Sequence, residues 1–528
     1  MLSCATQNTL NQGITNNEKI VFNEFISQIY RINFKYPKSL KIVNTFDNLN
    51  DLKENNILLK NYSKNNFQEL EDEFSLKAKN FYGQTPLIKD YKITTEKQDT
   101  FIKIIENNNI DKSNEFSIII GKYPKPYKFA LLEPEVNCFV LIIQKKYLND
   151  LIKTIDFNIS PMQYLTGIMN IVQEYSIVKD KINWDDWRKQ VTNNFEKSKD
   201  LSSSIKFALK NLNDHHSSFW SKEFAASIVN GTDKDIGIDF LPYKGNNIIF
   251  IVFPNSPADK AGIKIGDIIL AKKENLDKSI SLKLKRETQN EEFDLKLIPD
   301  NFDTNIEPSV RIINNNIGYV ELTGSTGDYA YQKFPNIVNE KIKDLLNKYN
   351  IDGWIIDIRR NTGGATWPML NAVGPIIGEG NIGSRLDSTG QKYIWKYSNG
   401  TIYFGDKIYS QLNVEPFKLK KQFPVVAVLT SNTTASAGEG VAVAFKGRDK
   451  TYFIGENTIG KTTGNNTFIL SDESWLNISD TVSVDRNGNK YFDPVKPDLF
   501  INVDWKYFGN ENKDYVIKSA LEWLEKNV

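Results

Sequence analysis

Ser436 is the residue whose surroundings most invite chemistry. Ahead of it runs Pro424-Val425-Val426-Ala427-Val428-Leu429-Thr430, a continuous apolar stretch of strand length. Such a run suits a strand buried on both faces. A polar turn, Ser431-Asn432-Thr433-Thr434, follows, and the small, apolar stretch from Ala435 to Phe445 then reads as a helix. A serine at that junction stands beside N–H groups that have no intrahelical partner, where the helix dipole favours negative charge. That is a good place for a nucleophile whose reaction creates an oxyanion. Taken alone, the same pattern also fits a small-residue helix start packed closely on a sheet.

Three further stretches bear on that choice. Both histidines of the chain, His215 and His216, lie in Asn213-Asp214-His215-His216-Ser217-Ser218, after a helical pattern. Histidine is the side chain whose ordinary pKa lies nearest neutrality. The buried-strand pattern Trp354 to Ile358 runs into Arg359-Arg360-Asn361-Thr362-Gly363-Gly364. A glycine pair there marks close backbone approach or positive φ, and its N–H groups could line an oxyanion site. The short strand Tyr452 to Glu456 leads to Thr458-Ile459-Gly460-Lys461, which adds a lysine.

The elements that must position these residues belong to an ordinary globular chain. It has 528 residues, enough for three or four domains, with 40% hydrophobic and 25% charged residues. A net charge of +1 gives no electrostatic case for nucleic acid. No run of about 18 apolar residues would span a bilayer. Two distant cysteines, Cys4 and Cys138, make no disulfide framework, and with two adjacent histidines they make no zinc site. No nucleotide-binding loop is present, so no cofactor and no metal is expected. Leu2-Ser3-Cys4 resembles the end of a bacterial lipoprotein signal, without the charged and apolar parts that precede it. On that reading Cys4 is lipidated, and the protein is exported and periplasmic or anchored at the outer membrane.

In chain order, residues 1–17 read as a tether. Residues 18–155 read as an α+β accessory domain, opening with an amphipathic helix over Glu18 to Asn33 (Val21, Phe22, Phe25, Ile26, Ile29, Ile32) that ends at Tyr36-Pro37. Residues 160–230 form a helical segment bearing His216, opened by the cap Ser160-Pro161. Residues 231–302 form a compact, mostly β module, and 305–528 an α/β domain with alternating strand and helix signals, closed by an amphipathic helix from Asp514 to Lys526.

The mostly β module resembles a PDZ domain, above all in Ser256-Pro257-Ala258-Asp259-Lys260-Ala261-Gly262 and the strand to Leu270. The resemblance implies that Ile236, Gly237 and Ile238 form the loop that holds a peptide carboxylate. With Asp214-His215-His216-Ser217, the Gly363-Gly364 turn, Thr434-Ala435-Ser436-Ala437-Gly438-Glu439 and Gly455 to Lys461, the order of motifs resembles the C-terminal processing (tail-specific) serine peptidase family. The match covers roughly residues 160 to 505. It implies a crotonase-like catalytic domain with an inserted PDZ domain, and Ser436 as nucleophile. It also implies an oxyanion hole from the amides of Ala437 and of Gly363 or Gly364, and peptide or unfolded protein as substrate. Glu439 is expected to orient its neighbours or to make a structural salt bridge.

The resemblance leaves two bases open. The processing branch uses a lysine 25 residues after the serine, which Lys461 matches. A branch that includes nisin-degrading peptidases uses the histidine matched by His216. Gly447 stands where some processing peptidases carry an aspartate. A free lysine near pKa 10.4 must fall to about 7, at about 4.6 kcal/mol, whereas histidine near 6.5 needs almost no tuning. The local wording of Gly438-Glu439 and Ala444 to Arg448 also leans to the histidine branch, so His216 is favoured. A non-catalytic peptide- or lipid-binding or scaffold protein on the same fold is the alternative. The retained serine, both bases and the glycine pair argue against it.

Overall fold

A computed structural model describes residues 160–528, apart from 315, 421, 422 and 471. Before that it describes the strands between Gln12 and Gln144 and a few residues between 72 and 79. The chain divides into two compact units. One is Met1–Lys222 with Thr467–Ile478, and the other Glu223–Asn466 with Ser479–Val528.

In the first unit, Gln12–Thr15, Glu18–Ser27 and Ile32–Pro37 make a three-stranded antiparallel sheet. The helix expected over Glu18 to Asn33 is therefore corrected to two strands. Its apolar residues are mostly β-branched or aromatic, and such a run pairs as a strand once a partner is available, whatever its helical spacing. A six-stranded sheet follows, in the order Lys41–Val43, Asn56–Lys64, Val136–Gln144, Phe116–Lys122, Asp99–Glu106, Leu87–Thr94. Helices Pro161–Tyr175, Trp184–Ser198 and Leu201–Lys210 close on Leu165, Ile168, Trp187, Val191 and Ile205. Ser160 caps the first of them, with its Oγ accepting from Gln163 N–H and Gln163 returning the bond to Ser160 N–H.

The second unit is a mixed α/β body. Its central sheet runs β1 (Ser309–Ile313), β2 (Ile317–Glu321), β3 (Gly353–Asp357), β4 (Val425–Thr430), β5 (Thr451–Gly455), β6 (Leu499–Phe500). From β2 to β6 all pairings are parallel. Strands β2, β3 and β4 are buried along their whole length, as a sheet covered on both faces requires. Helices α1 (Phe334–Lys348), α2 (Thr366–Ala372) and α3 (Ala437–Phe445) share one core with Val320, Ile356 and Val428. Helix α4 (Tyr515–Glu525) packs on the other face through Val516, Ile517, Ala520 and Leu524, against Ile355, Ala427 and Leu429.

Two antiparallel sheets elaborate this body. Gly380–Asp387, Lys392–Ser398, Thr401–Phe404 and Lys407–Gln411 form a meander that also pairs Ser384–Asp387 with Thr481–Val484. Ile238–Tyr243, Asn246–Val252, Ile268–Glu274, Ile280–Arg286 and Glu291–Leu297 form a five-stranded sheet around Ile249, Ile269, Leu282 and Leu284. Ser256 caps the one-turn helix Pro257–Lys260, its Oγ accepting from Asp259 N–H at 3.2 Å.

Candidate active site

Three loops leave the C-terminal ends of neighbouring parallel strands, the edge at which open α/β sheets gather ligands. Asp357 pairs with Leu429 and Thr430 with Gly455, so the ends of β3, β4 and β5 are level. The loop after β3 carries Gly363 and Gly364, that after β4 carries Ser436, and that after β5 carries Lys461.

The β4 loop turns sharply into α3 at Ser436, which has φ 52° and ψ −109°. A non-glycine residue rarely adopts such a conformation, and it costs about 1–3 kcal/mol. The turn holds because its surroundings over-determine it. Ala435 N–H donates to the Asn361 carbonyl at 2.9 Å. Ser436 N–H donates to Glu439 Oε2 at 3.0 Å. Ser431 and Thr433 hydroxyls both donate to the Arg359 carbonyl at 2.6 Å, and the Thr434 hydroxyl to that of Ile358 at 2.9 Å. Gly438 and Gly440 let the helix start close in. A Cβ on Gly438 would lie 2.7 Å from the Asn361 carbonyl oxygen, and one on Gly440 2.8 Å from Thr366 Cγ2.

The glycine pair lies against the serine. A Cβ on Gly363 would stand 3.2 Å from Ser436 Cβ and 3.7 Å from its Oγ. Gly363 and Gly364 have φ of 124° and 116°, which only glycine adopts without strain. The two expected oxyanion donors differ in availability. Gly363 N–H already donates to Asn361 Oδ1 at 3.1 Å. Ala437 is the first residue of α3, so its N–H has no helical carbonyl to meet.

Glu439 is fully buried and ties the serine turn to the lysine loop. Besides Ser436 N–H it accepts the Thr458 hydroxyl at 2.5 Å and Gly460 N–H at 2.8 Å. Burial pushes its carboxyl up, and hydrogen bonds from Thr458 and from the amides of Gly460, Ser436 and Lys461 pull it back. It makes no salt bridge among the described residues, so orientation is what its bonds provide. Ile459 N–H donates to the Thr434 carbonyl at 3.0 Å, a second tie between the two loops.

The candidate bases stand in different units: Lys461 in the second with Ser436, His216 in the first. Asp214 shapes the histidine loop. Its Oδ1 accepts from the amides of His216 (3.1 Å) and Ser217 (2.9 Å), and its Oδ2 accepts the Ser217 hydroxyl at 2.5 Å. His215 has φ 58° and is exposed, whereas His216 is half-buried. Cys4 lies outside the described residues. Among the described residues no helix is long and apolar enough to cross a membrane.

The family model described as Peptidase family S41 matches residues 316–501, the stretch that holds all three loops. Residues 316–501 thus match a peptidase family S41 domain. The chain is 30% identical to the nisin-resistance protein of Lactococcus lactis subsp. lactis over 188 residues, 35% of this chain and 54% of that one. It is 26% identical to the carboxy-terminal processing protease CtpB of Bacillus subtilis over 316 residues, 56% of this chain and 61% of that one. A probable CtpA-like serine protease of Staphylococcus aureus is 23% identical over 424 residues, 78% of this chain and 77% of that one. The matched segments thus span between 54% and 77% of these relatives.

The site also rests on bonds that the sequence does not show. Arg359 is fully buried. It donates to Asp357 (2.7 Å from Nη2) and to Asp514 (2.8 Å from Nη1), and it stacks on Phe508. Tyr319 donates its hydroxyl to Asp357 at 2.8 Å. Arg360 pairs with Glu321 at 2.6 Å. This network fixes the backbone whose carbonyls receive the Ser431, Thr433 and Thr434 hydroxyls. Asp357 and Arg359 stand in the sequence as part of a motif, but nothing there points to Asp514, 155 residues away.

Proposed function

We propose that this chain is a serine endopeptidase that cuts peptide or unfolded protein substrates, with Ser436 as nucleophile. The observation that carries the proposal is the strained backbone of Ser436 at a strand-to-helix turn, with the Gly363–Gly364 turn against its side chain. A residue held in a costly conformation by its whole surroundings is a candidate for function. Ser436 Oγ attacks the scissile carbonyl as a base takes its proton. The developing oxyanion is received by the amides of Ala437 and Gly364, while Gly363 N–H stays on Asn361 and keeps the turn in shape. Water then hydrolyses the acyl-enzyme. Glu439 orients the serine turn and the lysine loop together. The core is read as crotonase-like.

His216 is the favoured base, since an imidazole works near neutrality with little tuning. The bonding of Glu439 to both Ser436 and the Gly460–Lys461 turn supports Lys461 as the second reading. Turnover of one unstructured peptide by Ser436→Ala, His216→Ala and Lys461→Ala decides. We expect Ser436→Ala and His216→Ala to be inactive and Lys461→Ala to keep measurable turnover. The reverse pattern for the last two transfers the role to Lys461. Full activity in Ser436→Ala removes the proposal.

The five-stranded module is read as a PDZ domain that recognises substrate or gates the site. Its strand Ile238–Tyr243 is an edge strand, so a peptide can add beside it. Gly237, at φ 82°, has no room for a Cβ, which would lie 2.1 Å from Ser256 Cβ. The carbonyls of Ile236 and Gly237 are taken by the amides of Ala258 (2.9 Å) and Phe253 (3.1 Å), and Ile236 N–H donates to Asp235 Oδ1 at 2.7 Å, so the amides of Gly237 and Ile238 are the ones read as facing a carboxylate.

A further inference from the structure

Arg385 lies in the meander strand Gly380–Asp387 and pairs across the sheet with Ser483. Its guanidinium is walled by aromatic rings. Its Cζ lies 5.4 Å from the ring centroid of Trp367, 5.7 Å from that of Trp395 and 5.9 Å from that of Phe404. It also packs on Gly464, where an added Cβ would lie 2.4 Å from Nη1. Among the described residues its side chain makes no hydrogen bond and no ion pair, and its Nε is buried without a partner. Trp395 Nε1, in the same cluster, is a second buried donor without an acceptor. Asp480 is near enough to be felt electrostatically, but it forms no ion pair with Arg385 and accepts the Thr481 hydroxyl at 3.1 Å instead.

Arg385 as a whole is half-buried, but leaving its buried Nε–H unpaired is costly. Two unpaired donors in one aromatic pocket call for an acceptor from outside. Arginine's planar fork matches a carboxylate, and the rings hold that fork in place. The pocket touches both sides of the site already described. Trp367 follows the Gly363–Gly364 turn by three residues, and Thr366 between them packs on Gly440 of α3. Gly464 follows Lys461 by three residues, and Ser483, the cross-strand partner of Arg385, donates its hydroxyl to the Thr462 carbonyl at 2.5 Å.

We propose that Arg385, within the ring of Trp367, Trp395 and Phe404, binds a carboxylate of the polypeptide substrate a few residues from the scissile bond and so determines specificity. The proposal rests on the reading of Ser436 as nucleophile only for its consequence in cleavage; binding itself does not need the nucleophile. The carboxylate comes from an acidic side chain or from the peptide's C-terminus, and the test separates the two.

The full chain carrying Ser436→Ala is titrated with fluorescent peptide pairs, read by anisotropy. One set replaces Glu by Gln at successive positions, and another replaces the terminal carboxylate by an amide. One charged form should bind about tenfold to a hundredfold tighter than its neutral twin, as a charge-assisted bond implies. A Glu-dependent gain assigns the side chain; an amide-sensitive gain assigns the terminus. Adding Arg385→Gln should bring the ratio to about one, and Arg385→Lys should keep part of it. If Arg385→Gln lowers the melting temperature, Arg385→Lys and Trp395→Phe decide, and both should shrink the ratio. Equal binding of charged and neutral peptides overturns the proposal, as does a preference that stays undiminished in folded Arg385→Gln, Arg385→Lys or Trp395→Phe protein. Failure of the peptidase reading looks different: no Ser436-dependent cleavage of any peptide, charged or neutral.

Discussion

At the scale of single residues, the account makes Ser436 a position where stability is given up for geometry. Its φ of 52° with ψ −109° suits glycine better than serine. Ser436→Gly should therefore be more stable than Ser436→Ala by about 1 kcal/mol, while both are inactive; urea unfolding of the two variants checks this. Equal stability would mean that the turn carries no strain. Glu439 is the second residue with a defined task. Glu439→Gln places an amide N–H₂ where Thr458, Gly460 and Ser436 all donate, so kcat should fall while KM changes little. The strand-to-helix turn at Ser436 was legible because a fully apolar strand runs into small residues, but the local pattern alone also fitted a plain helix start, and only the order of motifs along the chain singled the serine out. The role of Glu439 was legible only in outline, because its partners Thr458 and Gly460 come from the next strand's loop. The Arg385 pocket was not legible at all, since its rings come from segments separated by ordinary meander strands.

At the scale of elements, the site is the shared end of three parallel strands, and it depends on close approach between their loops. Gly438→Ala should destabilise the fold by about 1–3 kcal/mol and reduce activity further than stability alone explains, because its Cβ would press on Asn361, which holds both the serine turn and the glycine turn. Thermal melting and turnover of the same preparation test it. The strand bearing Asp480 predicts a pH effect. Burial raises this carboxyl from 3.8 to about 6, with Arg385 opposing the shift. The native state then holds a proton that the unfolded chain has released, so this group's contribution falls as pH rises from about 4 to about 6. Asp480→Asn should flatten that part of the stability profile; an unchanged slope would contradict it. The strands around the site were legible because buried parallel strands are continuous apolar runs. The Glu18–Ser27 strand was not, because its apolar residues also fall at helical spacing and only a partner strand decides between the two.

At the scale of the whole molecule, the loops of the candidate site rest on a buried charge network that joins β3 to the start of α4. Removing one member leaves a buried charge without its partner, at about 3–5 kcal/mol. Asp514→Ala should accordingly lower unfolding stability by about that amount and loosen the Arg359 carbonyl that anchors Ser431 and Thr433. A loss below about 1 kcal/mol would show that Asp357 alone satisfies Arg359. Sequence order gave the arrangement of motifs but not this network, because ion pairs across more than a hundred residues leave no local pattern. The most direct test of the central claim is labelling of the folded chain with a serine-reactive fluorophosphonate probe, with the modified peptide located by mass spectrometry. The account predicts a single adduct on Ser436, absent in Ser436→Ala. Labelling that is missing, or that persists unchanged in Ser436→Ala, would contradict it.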